Sequence, residues 1–363
     1  MNAWDELVMR CALERREKIG PLSDQAFNEL LLAVRENPTS FVDSPADEAF
    51  LKVTKALDAY KQSTRDDDLL DDDEYLEARS KRLAQLRSSA ARAASIDEGC
   101  LDARLLEVLT QELDPDPLLT ELLNLEREFD ERAAAQAGET NFASGPAPDV
   151  RHLQIAIAGT GPTGVSAEPA ANASSSTGAP ADLWNDVFAR PRLRLRAAVS
   201  RTCLESARAR MAADAAASVV DVSPSDPLGT RHTWALALAR LEDEPSFYEL
   251  DARFGRRGDS WSHLARVLLL YKLDRINAAR RALHGFDELC EGGAYALLKP
   301  SYVEIYLPDR PNVETNSFEE SILAVREAEP IIADVPEFIN WCQSQRWLFM
   351  SARSFAQNND LDW

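Results

Sequence analysis

The chain has 363 residues, 45% of them hydrophobic, and a formal net charge of -21. That apolar content excludes global disorder, and the negative charge argues against surfaces for nucleic acid or anionic membrane, both of which need cations. The length fits one long repeat array or two sub-domains, against the ~100–200 residues of a common domain.

Leucine and alanine dominate and β-branched runs are few, which predicts helix. A first helix is expected from Glu6 to Lys18, stopped by Gly20-Pro21. Ser23-Asp24-Gln25 caps a second, carrying Phe27, Leu30, Leu31 and Val34 and ended at Asn37-Pro38. Asp43-Ser44-Pro45 opens a third, with Phe50, Val53, Leu57 and Tyr60 on one face. The acidic run from Asp66 to Glu74 reads as a solvated loop and helix start, where carboxylates suit the positive end of the helix dipole. It has no glycine for the sharp turn of a calcium loop. Helices follow over Arg79–Ala94, up to Leu113, and over Leu118–Ala135, with Asp114-Pro115-Asp116-Pro117 as a break.

Between Ala137 and Ala181 the composition changes to Gly, Ala, Ser, Thr and Pro, predicting a flexible linker or long loop. The expected division is therefore an acidic helical region over 1–136, a linker over 137–182, a repeat region over 183–347 and a tail over 348–363. Within the repeat region, helices are expected near 183–203, 206–220, 228–241, 245–254, 259–272 and 275–290. Gly292-Gly293 interrupts, and an irregular stretch follows from Tyr302 to Pro308. Further helices are expected from Ser317 and over Val335–Trp347, with fraying at Gln357–Asp360. Ala212 and Ala216 are placed at a tight helix crossing, because alanine lets two helices approach closely. The predicted fold is all-α: a tetratricopeptide-like array of helical hairpins, interrupted by the long Gly/Ala/Ser/Pro-rich loop.

Several phrases carry a resemblance. They are Arg190-Pro191-Arg192-Leu193-Arg194, the turn from Ser223 through Gly229 to Arg231, Asp259-Ser260-Trp261, Ala294-Tyr295-Ala296-Leu297-Leu298, and the segment from Phe318 to Trp341. Together they resemble the tetratricopeptide-type array of the suppressor of tumorigenicity 7 family and its bacterial relatives. The resemblance covers roughly 184–341, with a fainter echo at 79–130. It implies a helical-repeat scaffold for protein partners.

Motifs for chemistry are weighed against their plainer readings. Gly159-Thr160-Gly161-Pro162-Thr163-Gly164 matches a dinucleotide fingerprint in letters, but the Ser, Ala, Gly, Asn and Pro that follow cannot start the helix that the pyrophosphate needs. No cofactor is expected. His152, His232, His263 and His284 lie far apart and form no metalloprotease or hydrolase motif. Cys11, Cys100, Cys203, Cys290 and Cys342 form no Cys-x-x-Cys pair and read as small core residues of a reducing compartment. Met1 to Glu6 lacks the basic start of a signal peptide, so a cytoplasmic location is expected. Trp234, Trp261, Tyr271 and Trp341 read mostly as core.

The one cationic patch is Arg190, Arg192, Arg194, Arg196 and Arg201. Helical spacing puts Arg190, Arg194 and Arg201 on one face, and Arg192 and Arg196 on another. The plain reading is pairing with carboxylates of the acidic first half. The sharper one is a groove for a partner's carboxylates or phosphates, with Arg192, Arg194, Arg196 and Arg231 as contacts. The expected function is a non-enzymatic scaffold that binds a protein or peptide in a concave groove, with no nucleic acid, no membrane insertion and no obligate small-molecule ligand. The alternative is an enzyme or regulatory module with its site between the two helical halves.

Overall fold

The computed structural model describes residues 3–140 and 182–363, apart from 66, 68, 69 and 257. Among them every regular element is helical, as the composition predicts. In chain order they are α1 (Ala3–Ile19), α2 (Asp24–Glu36), α3 (Pro45–Ser63), α4 (Asp72–Ile96), α5 (Leu101–Leu109), α6 (Pro115–Thr140), α7 (Arg190–Glu205) and α8 (Ala209–Val222). Then come α9 (Thr230–Leu241), α10 (Glu244–Arg253), α11 (Ser260–Lys272), α12 (Ile276–Leu289), α13 (Gly293–Leu298), α14 (Phe318–Ala333), α15 (Glu337–Ser344) and α16 (Arg346–Asn358). No described helix is long and apolar enough to cross a membrane.

Local chemistry sets the helix starts. The Ser23 and Ser44 hydroxyls accept from Ala26 N and Asp47 N at 3.2 and 3.1 Å. Asp71 and Glu74 form a reciprocal capping box at the head of α4, so part of the acidic run does cap a helix. Of the linker expected over 137–182, residues 137–140 instead continue α6, Asp182 caps the next turn, and 141–181, with the glycine fingerprint and His152, lie outside the described residues.

Several boundaries differ from expectation. α4 starts at Asp72 rather than Arg79, α5 ends at Leu109 rather than Leu113, and α6 starts at Pro115, inside the expected break, because proline suits a first turn. The helix expected from 183 begins at Arg190, because Pro191 has no N–H to donate and suits only a first turn. Asp182 instead caps a short 3-10 turn over Leu183–Asn185. The helix expected over Val335–Trp347 breaks at Gln345 into α15 and α16. Most of the expected tail is α16, which buries Leu348, Ala352 and Ala356, residues four apart on one face.

Consecutive helices pack as pairs, α1 with α2, α3 with α4, α5 with α6, α7 with α8 and α11 with α12. The first helices of these pairs also touch in series, so α1, α3, α5, α7, α9 and α11 make one row. α14 lies against α7, α9 and α11. The largest core cluster runs from Leu101 in α5 to Ala356 in α16. α5 and α6 therefore share a core with the helices beyond the linker. Ala212 and Ala216 are fully buried in α8, which packs on both α7 and α9.

Candidate functional site

Residues 299–317 carry no helix and form a strap that meets α3, α4, α5, α7 and α14. Glu304 accepts from Arg79 Nε at 3.0 and 2.9 Å and from the Tyr75 hydroxyl at 3.2 Å, both side chains on α4. Leu307 packs on the cluster formed by α3, α4 and α5. Arg201 of α7 donates to the Pro308 carbonyl at 2.9 Å. Arg310 donates to the Leu228 and Gly229 carbonyls and pairs with Glu327 of α14. Arg79, Arg201 and Arg310 thus bind the strap through carboxylates and carbonyls, or anchor it to its neighbours.

Beside the strap lies a cleft of about 470 Å³. Its walls include Phe50, Val53 and Leu57 of α3, Leu106 of α5, and Ile305 and Leu307 of the strap. The Tyr60 hydroxyl in this wall is buried without a partner. Burial and the nearby Glu304 charge push it up to about 12, so it stays protonated and able to donate.

At the foot of the cleft is a buried junction of charges. Arg194 of α7 reaches Glu6 of α1 at 2.6 Å, Asp102 of α5 at 3.2 Å and Asp309 of the strap at 3.1 Å. Arg10 reaches Glu6 at 2.8 Å, and Arg190 lies 3.5 Å from the same carboxylate. The Trp184 ring lies under both Arg190 and Arg194, at 4.8 and 5.6 Å, and Phe50 lies 3.8 Å from the Arg10 guanidinium. Burial pushes the Glu6 carboxyl up, but Arg194 and Arg10 outweigh it and hold the group below its ordinary value. Burial also lifts Asp102, and there the two arginines offset only part of the effect.

The structure separates the four candidate arginines. Arg194 is buried in the junction. Arg196 Nη1 donates to both Glu126 oxygens at 2.9 Å, and Arg192 pairs with Asp130 at 2.7 Å, both carboxylates on α6. Arg231 pairs with Asp226 and Asp259 at 3.1 and 3.3 Å and covers Phe254. Among the described residues, the arginines of α7 that pair with carboxylates find them in the first 136 residues and at Asp309. Within the acidic run, Asp67 is bidentate to Arg82.

The remaining candidates have structural surroundings. His232 stacks on Trp261 at 4.1 Å and lies 3.5 Å from Asp259, while His284 stacks on Trp347 at 3.6 Å. Trp261 is core, and Trp234, Tyr271 and Trp341 are half-buried against the same core. All five cysteines are buried and free. No group of three or more His, Cys, Asp or Glu suited to a metal occurs among the described residues. Sequence reasoning missed Glu6, Arg10, Asp102 and Asp309. They come from three segments far apart in the chain, and none sits in a local motif. No protein family, curated protein or solved structure matches the chain.

Proposed function

We propose that this chain is a non-enzymatic, tetratricopeptide-like scaffold that holds an extended segment of another protein along the row of first helices. The observation that carries the reading is the strap. A non-helical stretch of the chain itself lies against α3, α4, α5 and α7, bound through its carboxylates and carbonyls by arginines and through Leu307 by an apolar cluster. A surface that accepts one non-helical segment has the donors and the apolar floor for another. The cleft of about 470 Å³ beside the strap is the open part of that surface. In this reading Arg194 lines the groove, Arg192 and Arg196 act from the α6 side of α7, and Arg231 holds the turn before α9 through Asp226. The buried free thiols suit a cytoplasmic setting.

The enzyme alternative has one observation in its favour, a carboxyl lifted by burial at the foot of the cleft, Asp102. That carboxylate is already engaged by two arginines, and no histidine lines the cleft. The scaffold reading therefore leads.

The test is capture of partners from the native cell with the full chain. Leu57→Glu, which puts a charge in the cleft wall, is expected to lose the proteins that the unaltered chain retains, with the thermal midpoint little changed. Retention of the same proteins would refute the cleft as the binding surface. Arg192→Glu with Arg196→Glu separates binding from the fold. Lost capture with retained stability puts these residues in the groove, and lost stability with retained capture assigns them to the α6–α7 contact.

A further inference from the structure

We propose that copies of this chain associate head to tail, with α16 of one copy lying on the α2 face of the next. The surface is separate from the cleft and independent of the reading given to it.

The two faces match in pattern. On α2, Glu29 and Glu36 stand seven residues apart and bracket Leu32, which is 62% exposed. On α16, Arg346 and Arg353 stand seven residues apart and bracket Phe349 and Met350, which are 39% and 52% exposed. Seven residues are two helical turns, about 10.5 Å, so both charge pairs fall in register when the helices lie side by side in either direction. All four charged side chains are exposed, and none has an ion pair among the described residues. α16 carries no acidic residue, although the chain has a net charge of -21.

The space between the charges fits as well. Beside Leu32 is a groove of about 440 Å³, lined by Val8, Met9, Leu31 and Leu32 and by Asp5, Asn28 and Arg35. It has room for the aromatic ring or thioether that α16 exposes. Stacked helix pairs need a polar outer face where the stack ends, or apolar surface stays wet. Here α1 and α2 lie at one end of the succession of described helices and α16 at the other, and both outer faces leave large apolar residues exposed. α16 offers Arg346 and Arg353 with no acid, and α2 offers Glu29 and Glu36, its one cation, Arg35, being paired with Asp5. Because the two faces differ, the contact is heterologous and propagates from copy to copy.

The experiment is sedimentation velocity of the purified full chain over a concentration series. The average mass is expected to exceed the 40.3 kDa of one copy, to rise with concentration and to fall with added salt. Glu29→Arg with Glu36→Arg, and separately Arg346→Glu with Arg353→Glu, should each weaken association at least about tenfold by setting like charges face to face. An equimolar mixture of the two double variants should associate again, as should one chain carrying all four changes. Leu32→Glu mixed with Phe349→Glu should stop at two copies, since only one good contact can form. Circular dichroism and thermal midpoints close to those of the unaltered chain confirm that these surface variants fold. A chain that stays single at every concentration overturns the proposal. So does association that survives both charge reversals, or a mixture of the two that fails to restore it.

Discussion

Replacing Arg194 with methionine tests the junction most directly. The Arg194 side chain is 7% exposed, and the Glu6 and Asp102 side chains it pairs with are 0% and 5% exposed. Removing one partner of a buried pair strands the other charge and costs about 3–5 kcal/mol. Two features favour the lower end of that range. Arg10 stays 2.8 Å from Glu6, and Asp309, 42% exposed, can turn to water. A loss of about 3 kcal/mol is expected, a large share of the ~5–15 kcal/mol that holds a domain together. Urea unfolding at pH 7, followed by circular dichroism and by tryptophan fluorescence, measures it. The pH dependence has a definite sign. In the unaltered chain the Glu6 carboxyl is held below its ordinary value, so its contribution is present above the ordinary carboxylate range and is lost as pH falls through the lowered folded value. In Arg194→Met burial acts on Glu6 with less opposition, and protonation relieves the stranded charge. The gap between the two proteins is therefore widest near neutral pH and narrows as pH falls towards 4. A loss below about 1 kcal/mol, or a gap independent of pH, would show that these charges are solvated and refute the reasoning.

Two further predictions concern packing. Ala216→Leu should overpack the contact of α8 with its neighbours and cost about 1–3 kcal/mol in chemical denaturation, and unchanged stability would place that face in solvent. Gly292 has φ +62, and a Cβ there would lie 2.7 Å from Phe355 Cζ and run into the Phe318 ring. Gly292→Ala should therefore cost about 2 kcal/mol or more, seen as a lower thermal midpoint, and a neutral effect would mean that the contact of α13 with α16 is loose.

Helix positions were legible because their signals are local. Ser23, Ser44 and Asp71 each announce a start within four residues, and alanines four apart announce a close crossing. The start of α7 was misplaced although Pro191 marks it, because the apolar period of Leu183 and Trp184 continues upstream into a 3-10 turn. α16 was read as a tail although Leu348, Ala352 and Ala356 already carry its period. The division of the Arg190–Arg201 stripe into two faces was legible from spacing alone. Which acids those faces meet was not, since Glu6 and Asp102 lie 188 and 92 residues from Arg194. No local pattern tells a carboxylate in the first turn of α1 that its partner is on α7. The strap was legible as irregular, from Tyr302 to Pro308, but its placement depends on arginines of α4 and α7.

The junction also bears on why these helices meet in this order. The inner positions of the row are mostly leucine and alanine, whose attraction has no direction and would tolerate a neighbouring register. The charges at the foot of the cleft are directional. Glu6 comes from α1, Asp102 from α5, Arg194 from α7 and Asp309 from the strap, and a shift of any one element would strand the others in a place that water reaches poorly. Apolar burial supplies most of the attraction, and the charge cluster penalises the alternatives. The same four elements, with α3, frame the cleft, so the groups that fix the register of the row also fix the shape of the surface a partner would meet.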